Sequence, residues 1–232
     1  MFGVKAESCL LAVYFQLTCK KKQHQLTWLN NRINILIIFC HPSKRSYTYQ
    51  VLEQLKNELL QKNFAVETSD LYAINFQSNM SEEEYNREAF AKVEVPVAKD
   101  VLEEHKKINK ADCVIFLYPV WWSDCPAKLK GWFDRVFSVG YAYKQKDEYP
   151  KMEIVKYGVA VCTAGYSNDF LFETGLAQSM QNIMLNDRMG NRFEHKEMII
   201  LGNTLNLDKV KHQHTEQIKI LVNKIEYYLA ET

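Results

Sequence analysis

The chain has 232 residues, of which 47% are apolar and 25% are charged, a composition typical of folded globular proteins and not of disordered chains. The 29 basic and 28 acidic side chains give a net charge of +1, which offers no basic stripe for nucleic acid, no polybasic face for a membrane and no acidic docking surface of the kind small electron carriers use. Only eight glycines are present, and neither glycine-rich phosphate-binding motif, G-x-G-x-x-G or G-x-x-x-x-G-K-[ST], occurs.

Residues 1–32 differ from the rest of the chain. An apolar stretch over residues 8–19 is followed by three lysines, the reverse of the order in a secretory signal, and the stretch is shorter than the roughly 20 residues that span a bilayer. We therefore expect residues 1–32 to be an N-terminal extension outside the fold, and residues 33–232 to form one domain. The alternative is an added strand, helix or partner-binding arm.

Five apolar segments predict β-strands in the remaining sequence. The runs at residues 33–39 and 112–118 are almost continuously apolar, which is typical of strands buried on both faces of a parallel sheet. The segment 65–71 is more polar and is expected near a sheet edge. The fourth and fifth strands are predicted at residues 157–163 and 197–201.

Helical periodicity separates these strands, with apolar residues at spacings of three and four. A helix is also predicted around residues 170–185, and the polar stretch 81–88 is predicted as a solvated helix or loop. Alternating strands and helices indicate an α/β fold, a doubly wound five-stranded parallel sheet with helices on both faces and the flavodoxin-like strand order 2-1-3-4-5. Ligands of such sheets bind at the carboxyl ends of the strands.

The first loop at that edge, residues 40–48, lies between a buried strand and the start of a helix. Backbone amides at a helix N-terminus bind phosphate without a glycine cradle. The hydroxyls of Ser46 and Thr48 can add hydrogen bonds, and His41 and Arg45 can add hydrogen bonds or charge. The alternative is that Ser46 only caps the helix and that His41 is a satisfied turn residue.

The second loop carries two adjacent tryptophans, Trp121 and Trp122, after a central strand. Because both side chains cannot point into the core, at least one is expected to line a flat apolar ligand pocket. Trp132 and Phe133 follow at helical positions and are expected in the core.

The third loop, residues 163–168, supplies hydroxyls and the permissive Gly165, which suit hydrogen bonds along the edge of a planar ring. Tyr141 and Tyr143 add two aromatic side chains to another predicted loop. Exposed aromatic residues at this density are typical of ring stacking or of an interface.

No pattern of metal ligands is found, so no metal site is expected. His212 and His214 do not share a helical face and are expected in packing or in solvent. The cysteines contain no C-x-x-C pair, and three of them lie in or beside apolar strand-like runs, which indicates buried thiols in a reducing, cytoplasmic compartment. The six cysteines are Cys9, Cys19, Cys40, Cys113, Cys125 and Cys162.

Several of these segments resemble the NAD(P)H:quinone oxidoreductases of the diaphorase type, in their short bacterial form. The resemblance covers roughly residues 33–204, and His41 with Ser46-Tyr47, the segment 69–76 and the turn 163–165 support it. Its most specific part is Tyr118-Pro119-x-x-Trp122 followed by Pro126-Ala127-x-Leu129-Lys130-Gly131-Trp132-Phe133-Asp134-Arg135-Val136-Phe137.

The resemblance implies a flavoenzyme that holds FAD, or FMN as in some relatives, with NAD(P)H as co-substrate. It places the flavin phosphates near His41, Ser46, Tyr47 and Thr48. The ring would lie against Pro119, Val120, Trp121, Trp122, Ser123, Thr163, Ala164, Gly165 and Tyr166. Since Phe170 stands near the position of a tyrosine in the family, backbone amides would stabilise the reduced ring.

The resemblance also implies a homodimer whose aromatic loop covers the ring, with Tyr141 and Tyr143 as candidate catalytic residues. The implied reaction is a two-electron ping-pong transfer, in which a hydride passes from NAD(P)H through flavin N5 to a quinone or similar acceptor. The alternative is a flavin-binding ancillary subunit that regulates a potassium-efflux transporter.

Overall fold

The computed structural model describes residues 32–143 and 150–230. The predicted extension, residues 1–32, lies outside the described residues apart from Arg32. Five strands form one parallel sheet: β1 (Asn34–Phe39), β2 (Ala65–Asp70), β3 (Cys113–Pro119), β4 (Val155–Thr163) and β5 (Phe193–Leu201). Their order is β2-β1-β3-β4-β5, which confirms the predicted doubly wound topology.

Burial along the strands follows their position in the sheet. Every residue of β3 is buried, and only Asn34 of β1 is exposed, because helices cover both faces of the central strands. At the edge, β2 buries Ser69 alone, as its polar sequence predicts.

Seven α-helices connect and cover the strands in the described ranges: α1 (Tyr47–Gln61), α2 (Glu82–Ala89), α3 (Lys99–Ile108), α4 (Ala127–Val136), α5 (Asn168–Glu173), α6 (Leu176–Gln181) and α7 (Leu207–Ala230). A π-helical segment, Asn182–Met189, continues α6. None of the helices described combines the length and apolar character needed to cross a bilayer.

Helix α2 settles the alternative left open for residues 81–88. The Ser81 hydroxyl accepts a hydrogen bond from the Glu84 amide (3.1 Å), and the Glu84 carboxylate accepts one from the Ser81 amide (2.8 Å). This reciprocal capping satisfies two amides at the helix start, so a stretch with little apolar surface is helical.

Two predicted elements differ from the structure. The single helix predicted at residues 170–185 is wrong, because Gly175 has a φ of +74° and separates α5 from α6. The fifth strand begins at Phe193, four residues before its predicted start, since the exposed Glu194 and His195 hide the strand pattern. The Phe193 ring packs closely on Gly158 of β4, and a Cβ atom added to Gly158 would lie only 2.5 Å from that ring.

The core beneath β3 contains a buried polar network. Trp132 and Phe133 are buried, which confirms their predicted place in the core. The indole nitrogen of Trp132 donates to the carboxylate of Glu104 (3.0 Å), and the Ser69 hydroxyl and the Lys107 ammonium donate to the same carboxylate (2.9 and 2.7 Å). Side chains of β2, α3 and α4 are therefore joined through one carboxylate.

His105 should make the fold sensitive to acid. Its Nε2 lies 2.8 Å from the Val136 carbonyl, its ring stacks on Tyr141, and burial lowers its pKa to about 4. Between the ordinary histidine pKa and that value, the unfolded chain binds a proton that the folded chain does not, so stability is lost as the pH falls from about 6.5 to about 4.

We expect this group to remove about 3 kcal/mol of unfolding free energy over that range. Urea unfolding at pH 7 and at pH 4 measures this loss of unfolding free energy. The experiment compares the wild type with His105→Gln, whose side-chain amide can still donate to the Val136 carbonyl. The variant should lose correspondingly less stability than the wild type, and equal losses in both would contradict the assignment.

Candidate functional site

Three loops leave neighbouring strands at the same edge of the sheet. They follow β1, β3 and β4, and span residues 40–46, 120–126 and 164–167. The connections from β1 and β3 run in opposite directions across the sheet, and ligands of doubly wound sheets bind at such a switch point. The structure thus brings the three predicted loops side by side.

Direct contacts fix the loops relative to one another. The hydroxyls of Thr48 and Thr163 are hydrogen-bonded at 2.8 Å, and the Val120 amide donates to the Thr163 carbonyl, also at 2.8 Å. The His41 ring meets Trp121 edge-on, with ring centroids 6.1 Å apart. Because Thr48 is buried and its hydroxyl is used between loops, its remaining group for a ligand is the backbone amide.

The start of α1 offers unpaired backbone donors. Ser46 is the N-cap, and its hydroxyl accepts a hydrogen bond from the Tyr49 amide at 3.1 Å, so the capping role considered for Ser46 is real. The amides of Tyr47 and Thr48, at the first two helical positions, have no acceptor among the described residues. These two amides and the positive end of the helix can hold an anion.

His41 and Arg45 shape the loop ahead of this helix. The Ser43 amide donates to Nδ1 of His41 at 3.0 Å, and the Arg45 amide donates to the Ser43 hydroxyl at 3.2 Å. Burial lowers the pKa of His41, so at neutral pH its imidazole contributes hydrogen bonding and not charge. Of His41 and Arg45, only Arg45 carries charge, and its side chain is exposed.

His214 supports α1 from the last helix. It is buried, and its Nδ1 lies 2.9 Å from the Tyr47 hydroxyl. Burial lowers the pKa of His214, and its backbone hydrogen bond with Gly202 only partly offsets that effect. His214 therefore has the expected packing role. Its partner is Tyr47, a proposed site residue that is 167 positions away in the sequence.

The second loop is a tight two-residue hairpin turn. Trp121 and Asp124 exchange backbone hydrogen bonds of 2.9 and 3.1 Å, and the residues between them, Trp122 and Ser123, have φ of +51° and +61°. Such turns favour Asn-Gly, and holding other residues in this region costs about 1–2 kcal/mol each. The strained turn leaves the Trp122 side chain fully exposed, at 101%, and Trp121 exposed at 43%.

An ion pair between the buried Arg188 and the half-exposed Asp124 lies at the base of this turn. Both terminal nitrogens of Arg188 donate to the two carboxylate oxygens of Asp124, at 2.7 and 2.8 Å. Burial alone would raise the pKa of Asp124, but the hydrogen bonds from Arg188 and from the Cys125 amide outweigh it and hold that pKa below its usual value. The sequence reasoning missed Arg188, since nothing in the pattern pairs residues 64 positions apart.

The third loop is held by its neighbours and keeps two free donors. The Ala164 amide donates to the Leu201 carbonyl (3.0 Å), and the Ala164 carbonyl accepts from the Thr204 amide (3.0 Å). The amides of Gly165 and Tyr166 have no acceptor among the residues described, and the Tyr166 ring is 60% exposed. These amides can donate to the edge of a ring.

The two candidate catalytic tyrosines do not reach these loops within one chain. The Tyr141 hydroxyl donates to Asn109 (2.9 Å), and the Tyr143 hydroxyl donates to Glu88 (2.7 Å), at the edge of the sheet where the strands begin. The expectation of two exposed aromatic residues is wrong for Tyr141, which is buried because its ring stacks on His105. Tyr143 remains 44% exposed.

Comparison with known proteins agrees with this architecture. A family model described as a flavodoxin-like fold matches residues 33–193. The solved structure of an NAD(P)H:quinone oxidoreductase from Methanothermobacter marburgensis superposes with a TM-score of 0.79 and 38% identity, covering 84% of this chain and 97% of that one.

Curated relatives show the same similarity in sequence. The guinea pig protein named NAD(P)H dehydrogenase [quinone] 1 is 34% identical over 164 residues, which cover 65% of this chain and 59% of the relative. A Haemophilus influenzae protein named as an uncharacterized NAD(P)H oxidoreductase is 33% identical over 156 residues, or 66% of this chain and 75% of the relative. The chain spans about half the length of several curated relatives that it matches.

Proposed function

This chain belongs to the protein family with a flavodoxin-like fold, and from that membership we propose that it is an NAD(P)H-dependent quinone reductase that uses a bound flavin. The observation that carries the proposal is the fully exposed Trp122, presented on a strained turn at the sheet edge where α1 leaves two amides unpaired. The relatives named as quinone oxidoreductases support the activity.

The residues present fit a flavin in three respects. The amides of Tyr47 and Thr48 can take its phosphate at the positive end of α1. The exposed indole of Trp122 can stack on its ring, and the amides of Gly165 and Tyr166 can donate to the ring edge. We propose FAD as the flavin, with FMN as the alternative that the experiment below decides.

When bound, a flavin accepts a hydride from reduced nicotinamide and then passes it to a quinone. The chain's own residues would bind the flavin and orient its ring. Trp122 and the Gly165 turn would hold the ring in place for the transfer, and the amides of Gly165 and Tyr166 would stabilise negative charge on the reduced ring. No side chain has to act as a nucleophile.

We further propose that the working form is a homodimer. Tyr143 is half-exposed at the sheet edge opposite the three loops, so its ring can cover a flavin only in a second copy of the chain. Beside the third loop, the exposed rings of Tyr166 and Phe170 lie 4.6 Å apart and the exposed Leu205 lies against Gly165, which makes an apolar patch of the kind that a second copy would cover.

Removing the Tyr143 ring should weaken acceptor binding more than flavin binding. We expect Tyr143→Ala to raise the KM for a quinone by about 2- to 12-fold, the range set by an aromatic contact of about 0.5–1.5 kcal/mol. Tyr143→Phe keeps the ring, loses only the bond to Glu88, and serves as the matched control. Loss of flavin with normal kinetics in reconstituted enzyme would contradict this role.

Mixed dimers test whether two copies build one site. A dimer of one Trp122→Gly chain and one Tyr143→Ala chain should contain one intact site and one doubly defective site. Activity of the mixture above both parent variants is the expected result, and activity equal to their average would exclude a shared site.

The overall proposal is tested by anaerobic visible spectroscopy. The protein is incubated with FAD or FMN, desalted, and then given NADPH or NADH followed by menadione. We expect a retained flavin spectrum that bleaches with the nicotinamide and recovers with the quinone. Retained flavin that does not bleach would overturn the enzyme proposal, and absence of retained flavin would overturn the site assignment.

The proposal includes a reducing, cytoplasmic setting, which the buried free thiols of Cys40, Cys113, Cys125 and Cys162 support. The named relatives lend no support to the alternative of a transporter subunit. Stoichiometric co-purification with a membrane transporter would be the observation in its favour.

A further inference from the structure

The turn that presents Trp122 does not hold itself in place. Trp122 and Ser123 both lie in the left-handed region, where neither residue type is favoured, and the fully exposed indole makes no packing contact that could offset the strain. Such a conformation persists only where surrounding groups fix it. The groups that fix this turn must therefore act on its base.

Asp124 is that base, and it is held from three directions. Its backbone closes the turn through the two hydrogen bonds with Trp121, and its carboxylate accepts the Cys125 amide at 2.7 Å. Both terminal nitrogens of Arg188 complete the set at 2.7 and 2.8 Å. A two-pronged bond of this kind fixes the orientation of the carboxylate as well as its position.

Arg188 is itself held rigidly. Its side chain is 7% exposed, and its guanidinium lies 5.3 Å from the centre of the Phe133 ring and 3.4 Å from the Cys125 sulfur. It projects from the π-helical segment Asn182–Met189, a conformation that is rare and concentrates at functional sites. The position of Asp124 is thus set by the core and not by solvent-exposed side chains.

We propose that Arg188 and Asp124 are positioning residues that hold the Trp122–Ser123 turn in its strained form, so that the turn presents the indole on the side that receives the flavin ring. This inference rests on the proposed function and deepens it. Neither side chain needs to touch the ring, because the pair acts through the backbone of the turn.

Arg188→Lys tests the inference, since lysine keeps the charge but cannot make the two-pronged bond. We expect the dissociation constant for flavin to rise about tenfold, the effect of one lost charge-assisted hydrogen bond. Arg135→Lys is the matched control, because Arg135 makes a similar two-pronged bond to the Asp100 carboxylate, at 2.6 and 3.0 Å, away from the three loops. Thermal unfolding of each variant shows whether the fold is retained.

A second variant separates positioning from a general loss of packing. Ser123→Gly removes the strain at φ +61°. Arg188→Lys should therefore reduce flavin affinity much less when it is added to Ser123→Gly than when it is made in the wild type, so that the double variant recovers most of the loss. No recovery in the double variant would contradict the proposal.

A readout without flavin keeps this inference distinct from the proposed function. In protein labelled with 5-fluorotryptophan, the ¹⁹F resonance of Trp122, assigned with Trp122→Phe, should shift or broaden in Arg188→Lys and stay unchanged in Arg135→Lys. An unchanged resonance together with unchanged flavin affinity overturns the inference and leaves the proposed function standing. A wild type that binds no flavin overturns the proposed function, while the resonance still decides whether Arg188 fixes Trp122.

Discussion

Replacing Trp122 with glycine should lower the affinity for flavin by about 5- to 150-fold while leaving the fold as stable as before or slightly more so. The loss follows from removing a stacked ring, a contact worth about 1–3 kcal/mol. The stability follows from exposure, because a side chain that is 101% exposed has no buried contacts to lose.

The backbone explains why stability should not fall. At φ +51° a residue other than glycine is strained by about 1–2 kcal/mol, and glycine relieves that strain at an entropic cost of about 0.5–1 kcal/mol. The two effects leave the unfolding free energy unchanged or raised by about 1 kcal/mol. A substitution that stabilises the fold and lowers the affinity for the ligand is expected at a residue whose role is binding and not folding.

Flavin titration and urea unfolding of the same preparations test this prediction. Tyr227→Gly is unsuited as a control because glycine would weaken α7, so Tyr227→Ala, which removes a 60% exposed aromatic ring from that helix, is preferred. It should leave flavin affinity unchanged. Wild-type affinity and turnover in Trp122→Gly would remove Trp122 from the site.

The sheet order could be predicted from sequence because each strand carries its own local signal. Continuous apolar runs identify β1 and β3 as central, and the polar β2 as an edge. Since parallel strands end at one edge, the loops with Trp122 and Gly165 were placed together without knowledge of a single contact.

The contacts between distant residues could not be predicted in the same way. Arg188 and Asp124 are 64 positions apart and Tyr47 and His214 are 167 apart, so their pairing depends on how the helices pack and not on any local pattern. The positive φ of Trp122 was equally hidden, because it violates the local preference that sequence reasoning uses. Gly175 did carry a signal, as glycine commonly ends helices, and the predicted helix ran through it.

The largest expected loss of stability comes from Glu104, whose carboxylate is 1% exposed. Removing it as Glu104→Ala leaves the Trp132 indole nitrogen, the Ser69 hydroxyl and the Lys107 ammonium without their common acceptor. Breaking a buried charge pair on one side costs about 3–5 kcal/mol, and we expect a loss of this size in urea unfolding.

Helix α3 offers a matched control for Glu104 one residue away. Glu103 pairs with Lys106 at 2.8 Å, but those side chains are 49% and 54% exposed, so Glu103→Ala should change the free energy of unfolding little. If the uncompensated ammonium causes much of the Glu104→Ala loss, the double variant Glu104→Ala/Lys107→Met should be more stable than Glu104→Ala alone. Equal losses in the Glu103 and Glu104 variants would show that the network is not a significant source of stability.

Glu104→Ala and Trp122→Gly should also separate the residues that stabilise the fold from those that bind flavin. Glu104 joins β2, α3 and α4 beneath the sheet and contacts none of the three loops, so the folded fraction of Glu104→Ala should bind flavin with near wild-type affinity. Trp122→Gly should do the reverse, with the fold intact and the affinity reduced. A Glu104 variant that stays folded but loses flavin would show that this core network shapes the loops, and the binding role would then extend below the sheet edge.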